Sequence, residues 1–304
     1  RGRTARTARE AVERSYAEGV TDEFVVPTVI LDAQGSPGGP VRNGDSAIFF
    51  NFRGDRAREL TRAFNLDEFD GFDRGERPEV NFVCMMKYLD ADVPVAFAAP
   101  EPQDGLAETL SEAGKTQLHL AETEKFAHVT FFNGGREQPF PGEERILIPS
   151  PRVATYDLAP EMSARAIARE AVDRIGSGKY DFVVINFANG DMVGHTGKLA
   201  PAIAAVETVD ECVGQVWHAA SAAAGAMIVT ADHGNADEMI DPVSGKPSTA
   251  HSLNPVPFIL AGAGVRKLRD GGDFGDVAPT VLKLLGIQPP AAMTGRSLIA
   301  GYGA

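Results

Sequence analysis

The chain has 304 residues, 43% of them hydrophobic, and its 29 basic and 42 acidic residues give a formal net charge of −13. This length allows one large core or two modest ones, and no apolar run reaches the roughly 18 residues of a transmembrane span. The negative charge disfavours nucleic acids and anionic membranes as partners. Cys84 and Cys212 lie far apart in apolar stretches, which predicts buried thiols and a reducing, cytoplasmic location.

The first segment, residues 3–9, is rich in arginine, as is typical of an organelle transit peptide. Glutamates follow within residues 10–18, however, and transit peptides avoid acidic residues. An ordinary surface helix over about residues 4–18 is therefore favoured. Because the sequence starts with arginine, we expect a chain whose beginning has been cut.

Further along the chain, short apolar runs rich in valine, isoleucine and phenylalanine alternate with helical patterns, which predicts an α/β fold with a mainly parallel sheet. Strands are predicted at residues 47–52, 82–86, 182–186, 227–230 and 258–260. Helices are predicted at about residues 4–18, 54–64, 104–113, 163–175, 199–222 and 276–285. The proline-rich stretch 94–104 is predicted to be a linker, with Asp104 capping the next helix, so we place a domain boundary there.

Arg53 and Arg56 lie where the first of these strands runs into a predicted helix. Guanidinium groups bind phosphate and carboxylate oxygens through paired hydrogen bonds, and a helix N-terminus also favours an anion. A pair of surface arginines neutralised by Asp55 is the alternative interpretation.

Asp191 and His195 are candidate metal ligands four residues apart, just beyond the strand predicted at 182–186. A helix would place them on one face, and open α/β sheets bind ligands at the C-terminal ends of their strands. A helix-capping aspartate beside a surface histidine would explain the same pair.

Asp232 and His233 directly follow the strand predicted at 227–230, and Gly234 allows close backbone approach. An Asx-type turn with a partly buried histidine is the alternative here. His251 lies in a third loop, before the strand at 258–260. Carboxylates and imidazoles in three strand-end loops supply more ligands than one tetrahedral site would use, which indicates two divalent cation sites or parts of two.

The other three histidines are predicted to lie outside this site. His119 and His128 alternate with apolar residues, as in a half-exposed strand. His218 follows Trp217 on a long predicted helix, where the tryptophan is expected to pack and the histidine to face solvent.

The sequence closely resembles the cofactor-independent (2,3-bisphosphoglycerate-independent) phosphoglycerate mutases, which are members of the alkaline phosphatase superfamily. The segments that carry the resemblance are residues 22–27, 49–57, 121–125, 131–137, 186–195 and 230–237. The resemblance implies an alkaline-phosphatase-like, mainly parallel sheet with flanking helices. It also implies that residues 1–100 form part of a substrate-binding (transferase) domain, and that 101–304 form a metal-binding, phosphatase-like domain lacking its N-terminal segment.

The implied activity is the interconversion of 3-phosphoglycerate and 2-phosphoglycerate, an isomerase reaction of glycolysis and gluconeogenesis. The family uses a phosphoserine intermediate and usually two manganese ions, although zinc, cobalt or iron would also suit these ligands. The implied partner is the small phosphoglycerate substrate, without nucleic acid or membrane, and the implied state is a monomer.

The resemblance also implies a role for each candidate residue. One metal would be held by Asp191, His195 and His251. The second metal would be held in part by Asp232 and His233. The substrate would be bound by Arg53 and Arg56, and the lysine near the transferring group would be Lys125.

The chain departs from the family in one important respect, because the family's nucleophilic serine and a further aspartate ligand lie near the N-terminus of its members. No serine of this chain occupies the matching motif. We therefore expect the C-terminal part of such an enzyme, inactive on its own. Two alternatives stay open, namely another metalloenzyme of the superfamily, such as a phosphopentomutase or a phosphatase, and a non-catalytic metal-binding fragment.

Overall fold

The computed structural model describes residues 2–54, 56–89, 91–97, 104–130 and 138–302. The chain divides into two compact units, Arg1–Pro100 and Glu101–Ala304, and the division falls within the proline-rich stretch 94–104. Among the described residues, none of the helices combines the length and the apolar character needed to cross a lipid bilayer.

Among the described residues of the first unit there are two pairs of short parallel strands and two α-helices. The strands are β1 (Arg3–Ala5), β2 (Thr28–Ile30), β3 (Ser46–Phe49) and β4 (Asn81–Cys84), and β1 pairs with β2 while β3 pairs with β4. The helices are α1 (Ala8–Ala17) and α2 (Ala57–Asn65). A small core forms around Phe82 and Cys84, where the ring of Phe49 meets that of Phe82 edge to face at 6.0 Å. Cys84 is buried, as predicted.

The observed edges of all four elements predicted in this unit differ from the predicted ones. Helix α2 begins at Ala57 rather than at residue 54, and β4 ends at Cys84 rather than at residue 86. The first helix begins at Ala8 rather than at residue 4, because the Thr7 hydroxyl accepts a hydrogen bond from the Glu10 amide and caps it. The strand predicted at 47–52 ends at Phe49, and Phe50 and Phe52 beyond it are 74% and 63% exposed.

In the described part of the second unit, the chain forms a three-stranded parallel sheet, two antiparallel strand pairs and several helices. Its strands are β5 (Gln117–Glu122), β6 (Glu143–Ile148), β7 (Phe182–Asn186), β8 (Met227–Thr230), β9 (Phe258–Ala261), β10 (Val265–Leu268) and β11 (Ile299–Tyr302). Its helices are α3 (Leu106–Glu112), α4 (Phe126–Val129), α5 (Ala164–Gly176), α6 (Asn189–Gly194), α7 (Leu199–Ala222) and α8 (Val277–Leu284). The parallel strands run in the order β6-β5-β7, whereas β8 pairs with β9, and β10 with β11, in antiparallel fashion.

The core of the second unit lies where α5 and α7 pack on each other and on β5. Leu118 and Leu120 of β5 and Ile167 of α5 are fully buried there, and each contributes about 1.5–3 kcal/mol by leaving water. Cys212 of α7 belongs to the same core, as predicted. The predicted α/β class is confirmed, with parallel pairing in β5, β6 and β7, but the antiparallel β8 and β9 form a sheet of their own.

Three predictions in the second unit need correction. Gly105, not Asp104, occupies the N-cap position of α3, because Asp104 turns its backbone to a φ of 60°. His119 lies in a strand but is 1% exposed rather than half-exposed, and burial lowers its pKa. His128 lies in the short helix α4, not in a strand. His218 is exposed on α7, as predicted.

Candidate metal centre

Helix α6 carries the first two candidate ligands just beyond the C-terminal end of β7. Asp191 lies in its first turn, and His195 is the residue that ends it. The amide of His195 donates to the carbonyl of Asp191 at 3.0 Å, which closes one helical turn. The two side chains therefore project from one face, and His195 Nε2 lies 3.0 Å from Asp191 Oδ1.

His251 completes a cluster of three donor atoms with this pair. Its Nε2 lies 3.0 Å from Asp191 Oδ1 and 3.1 Å from His195 Nε2. Donors bound about 2.1 Å from one ion would lie roughly 3.0–3.4 Å from one another, so the spacing suits a single divalent cation. We call Asp191 Oδ1, His195 Nε2 and His251 Nε2 the donor triangle.

The hydrogen bonding of His195 shows that the donor triangle fits a cation. His195 Nδ1 lies 2.7 Å from the carbonyl oxygen of Thr249, and since a carbonyl only accepts, Nδ1 must carry the proton. In a neutral ring this leaves a lone pair on Nε2, which faces Asp191 Oδ1. Converging lone pairs repel unless a cation lies between them, and a carbonyl behind the imidazole is the usual support of a histidine ligand.

Asp191 keeps its charge although its side chain is only 14% exposed. Burial by itself would raise the pKa of Asp191, but hydrogen bonds from Lys125 and Asn235, together with the positive charge of Lys125, outweigh it and hold that pKa well below its usual value. Lys125 Nζ donates to Asp191 Oδ2, which leaves Oδ1 directed at the histidines. The carboxylate is thus ionised and oriented before any cation binds.

His233 lies closer to the donor triangle than its proposed place in a separate second site would suggest. Its ring stacks on that of His251 with centroids 3.7 Å apart and an interplanar angle of 17°. Ligand atoms of Asp191, His233 and His251 all lie within 4.8 Å of one another. Burial and the neighbouring His233 lower the pKa of His251, which favours the neutral ring that a metal requires.

Asp232 lies at the outer side of this cluster. Its Oδ2 is 3.6 Å from His233 Nε2, and its side chain is 54% exposed. Asp232 and His233 also line a cavity of 1630 Å³, together with Lys125 and Asp191. Side chains of both β7 and β8 line the same cavity, although the two strands belong to different sheets.

Asn235 and Asp237 join the ligand loops, and sequence reasoning gave neither of them a role. Asn235 Nδ2 donates to Asp191 Oδ1 at 2.8 Å. Asp237 Oδ2 accepts from Ser252 Oγ at 2.8 Å and from Asn254 Nδ2 at 2.7 Å, so it ties the loop after β8 to the loop that carries His251. Both residues lie in the segment 230–237 that carries the resemblance, but its spacing does not reveal their partners.

Arg53 and Arg56 lie in the first unit, and both are exposed. The Arg53 amide donates to Asn51 Oδ1 at 2.8 Å. Arg56 occupies the N-cap position of α2, which begins at Ala57, so this arginine lies at the end of the helix that favours anions. Asp55 and the segment 131–137 fall outside the described residues.

Comparisons with known proteins agree with a metal centre in this chain. The family model for the Metalloenzyme superfamily matches residues 44–289. A 2,3-bisphosphoglycerate-independent phosphoglycerate mutase of Methanosarcina acetivorans is 55% identical over 297 residues, covering 97% of this chain and 58% of the relative. The corresponding protein of Thermomicrobium roseum is 53% identical over 307 residues, covering 98% of this chain and 59% of the relative.

A solved structure shows the same similarity at the level of the fold. The crystal structure of Leishmania mexicana phosphoglycerate mutase at low cobalt concentration matches with a TM-score of 0.86 and 36% identity, covering 98% of this chain and 58% of that one. This chain therefore spans less than two thirds of the length of these relatives.

Proposed function

The chain belongs to the Metalloenzyme superfamily, and we propose that it is the metal-binding part of a 2,3-bisphosphoglycerate-independent phosphoglycerate mutase. That enzyme is an isomerase, which interconverts 3-phosphoglycerate and 2-phosphoglycerate in glycolysis and gluconeogenesis. The observation that carries the proposal is the donor triangle, in a chain that is 55% identical to a phosphoglycerate mutase over 97% of its length. The proposed architecture is that of the alkaline phosphatase superfamily.

The donor triangle would hold one divalent cation, and Asp232 with His233 would supply part of the shell of a second. Manganese is the proposed metal in both places, and the same oxygen and nitrogen donors would also accept zinc, cobalt or iron. A bound cation would supply positive charge beside the phosphoryl oxygens of the substrate.

Lys125 would act on the substrate from the buried side of the same site. Its ammonium group is fixed by Asp191 Oδ2 and also lines the 1630 Å³ cavity. From there it can donate a hydrogen bond to a phosphoryl oxygen or steady a leaving alkoxide. Since the chain carries a net charge of −13, an anionic substrate requires such local positive groups.

Arg53 and Arg56 would bind the phosphate or the carboxylate of the substrate in the first unit, through the paired hydrogen bonds that a guanidinium group offers. Residues 1–100 would accordingly be part of the substrate-binding domain, and residues 101–304 the metal-binding domain. We place the enzyme in the cytoplasm and expect it to act as a monomer on a small-molecule substrate.

An enolase-coupled assay tests this function. The chain is assayed with 3-phosphoglycerate and Mn²⁺, alone and in one polypeptide with the part of the Methanosarcina acetivorans enzyme that lies outside the matched region. We expect turnover from the joined protein, little from the 304 residues alone, and loss of the joined activity in Asp191→Asn. An inactive joined protein, or one indifferent to Asp191→Asn, would contradict the proposal.

A non-catalytic metal-binding fragment is the second candidate function. It is favoured by the observation that all three atoms of the donor triangle come from this chain. Metal binding by a joined protein that shows no turnover would support it.

A further inference from the structure

We propose that Asn235 is a positioning residue that orients the Asp191 carboxylate for metal binding, and that Gly194 gives Asn235 the room to do so. The inference rests on the proposed metal site and adds to it a residue that is not itself a ligand. Asn235 is 6% exposed, and its side chain lies directly against α6, the helix that bears Asp191 and His195.

The amide group of Asn235 holds Asp191 at two points. Its Nδ2 lies 2.8 Å from Asp191 Oδ1 and 3.2 Å from the Asp191 carbonyl oxygen. Both partners can only accept, so the NH2 group must face them, and it has two hydrogens to give. One side chain thereby fixes both the backbone and the carboxylate of the same residue.

The bond from Asn235 to Asp191 Oδ1 matters for a cation because of how the carboxylate is shared. Lys125 Nζ donates a hydrogen bond to Oδ2, whereas Oδ1 faces His195 Nε2 and His251 Nε2 at 3.0 Å each. A carboxylate oxygen has two lone-pair directions. The Asn235 amide binds in one of these directions, so the other points into the donor triangle. The same hydrogen bond hinders rotation of the carboxylate towards Lys125.

Gly194 is the position where α6 meets the Asn235 side chain. A Cβ at residue 194 would clash with Asn235 Oδ1 and would lie 2.8 Å from Asn235 Cγ. Glycine at this position, the last residue of α6, leaves room for the close approach of Asn235. The position falls between the two ligands that α6 carries.

The chain offers matched controls for both residues. Gly190 lies in the same helix, but a Cβ there would meet nothing within 4 Å. Thr208 of α7 is also a buried polar residue, 5% exposed, and its hydroxyl donates to the Ala204 carbonyl of its own helix. Gly190→Ala and Thr208→Val therefore repeat the two kinds of substitution without displacing the Asn235 side chain.

The experiment measures Mn²⁺ binding to the 304-residue chain by titration calorimetry, with the electron paramagnetic resonance spectrum of the bound ion and with urea unfolding in EDTA. We expect Asn235→Ala and Gly194→Ala each to weaken binding by about 10- to 100-fold and to change the spectrum. Gly190→Ala and Thr208→Val should bind as the wild type does. Unfolding in EDTA identifies any variant that loses affinity only because it is less folded.

Wild-type affinity and spectrum in Asn235→Ala or in Gly194→Ala would overturn the inference, as would a loss of affinity no larger than in the controls. If Asn235→Ala does not fold, Gly194→Ala decides the question, because it displaces the same amide group from a different element. A wild-type chain that binds no Mn²⁺ would instead refute the proposed metal site, which separates the two failures.

Discussion

Lys125 donates a hydrogen bond from Nζ to Asp191 Oδ2, and the two side chains are only 6% and 14% exposed. The residues lie 66 positions apart, so this ion pair links the turn after β5 to helix α6. The two opposite charges compensate each other at a site that water barely reaches. Because the pair occupies Oδ2, it also decides which oxygen of Asp191 faces His195 and His251.

Lys125→Met should destabilise the metal-free protein by about 3–5 kcal/mol, because it leaves the buried Asp191 charge without its ammonium counter-charge. Asp191→Asn added to that variant should recover part of the loss by removing the charge. Urea unfolding in EDTA of the wild type, both single variants and the double variant measures the coupling. A double variant less stable than Lys125→Met would refute this account of the pair.

His195→Ala should weaken Mn²⁺ binding by on the order of 100-fold or more, since it removes one of the three atoms of the donor triangle. His218→Ala is the matched control, because that histidine is exposed on α7 in the same unit. Titration calorimetry on both variants checks the prediction. Equal affinities would show that the triangle does not bind the ion.

Gly234→Ala should disturb the connection between the two ligand loops. A Cβ at this position would clash with Ser252 Oγ and lie 2.8 Å from Asp237 Oδ1, in the hydrogen bond that holds the loop of His251. We expect weaker Mn²⁺ binding and a loss of about 1–3 kcal/mol in the free energy of unfolding.

Gly214→Ala is the control for this variant. Gly214 lies within α7, and a Cβ there would meet nothing within 4 Å. The alanine should raise the free energy of unfolding by up to about 1 kcal/mol, because it favours the helix. Similar effects of the two substitutions on metal affinity would argue against a specific role of the loop connection.

Asp276 should make the second unit sensitive to acid. Hydrogen bonds from the amides of Arg296 and Asp273, with the Arg269 guanidinium, lower the pKa of Asp276 although burial opposes them. A carboxyl group whose pKa is lower in the folded state stabilises the protein at neutral pH. It loses that effect as the pH falls from its unfolded pKa of about 3.9 through the folded one.

The measurement is thermal unfolding of the wild type and of Asp276→Asn at a series of pH values, from neutral pH down to below the unfolded pKa of about 3.9. The variant should unfold several degrees lower at neutral pH, and the difference should shrink as the pH falls, because the wild-type carboxyl group then becomes protonated. If the difference in unfolding temperature did not depend on pH, the effect of the substitution would come from altered packing and not from the loss of charge.

Elements with a clear apolar pattern were predictable from the sequence. The bounds of β7, α7 and β8 agree with those expected, since each depends mainly on local pattern. The full burial of β5 was not predicted, because Gln117 and His119 alternate with leucines in the sequence, which suggests a half-exposed strand. Both are nonetheless buried, and the Gln117 amide donates to the Ala107 carbonyl while its oxygen lies 3.1 Å from His119 Nε2. Whether a polar side chain finds such partners depends on distant segments, which periodicity does not describe.

The sequence by itself determined that Asp191 and His195 lie four residues apart, a spacing that puts two side chains on one face wherever the segment is helical. The helix itself, α6, was not predicted. The sequence also placed Asp232, His233 and His251 in loops next to strand ends. Only the tertiary structure decided how these loops combine: His233 stacks on His251, Lys125 takes one oxygen of Asp191, and Asn235 fixes the other. The physical reason is that these contacts join segments separated by many residues, so their geometry depends on how the strands and helices pack and not on the spacing within any one of them.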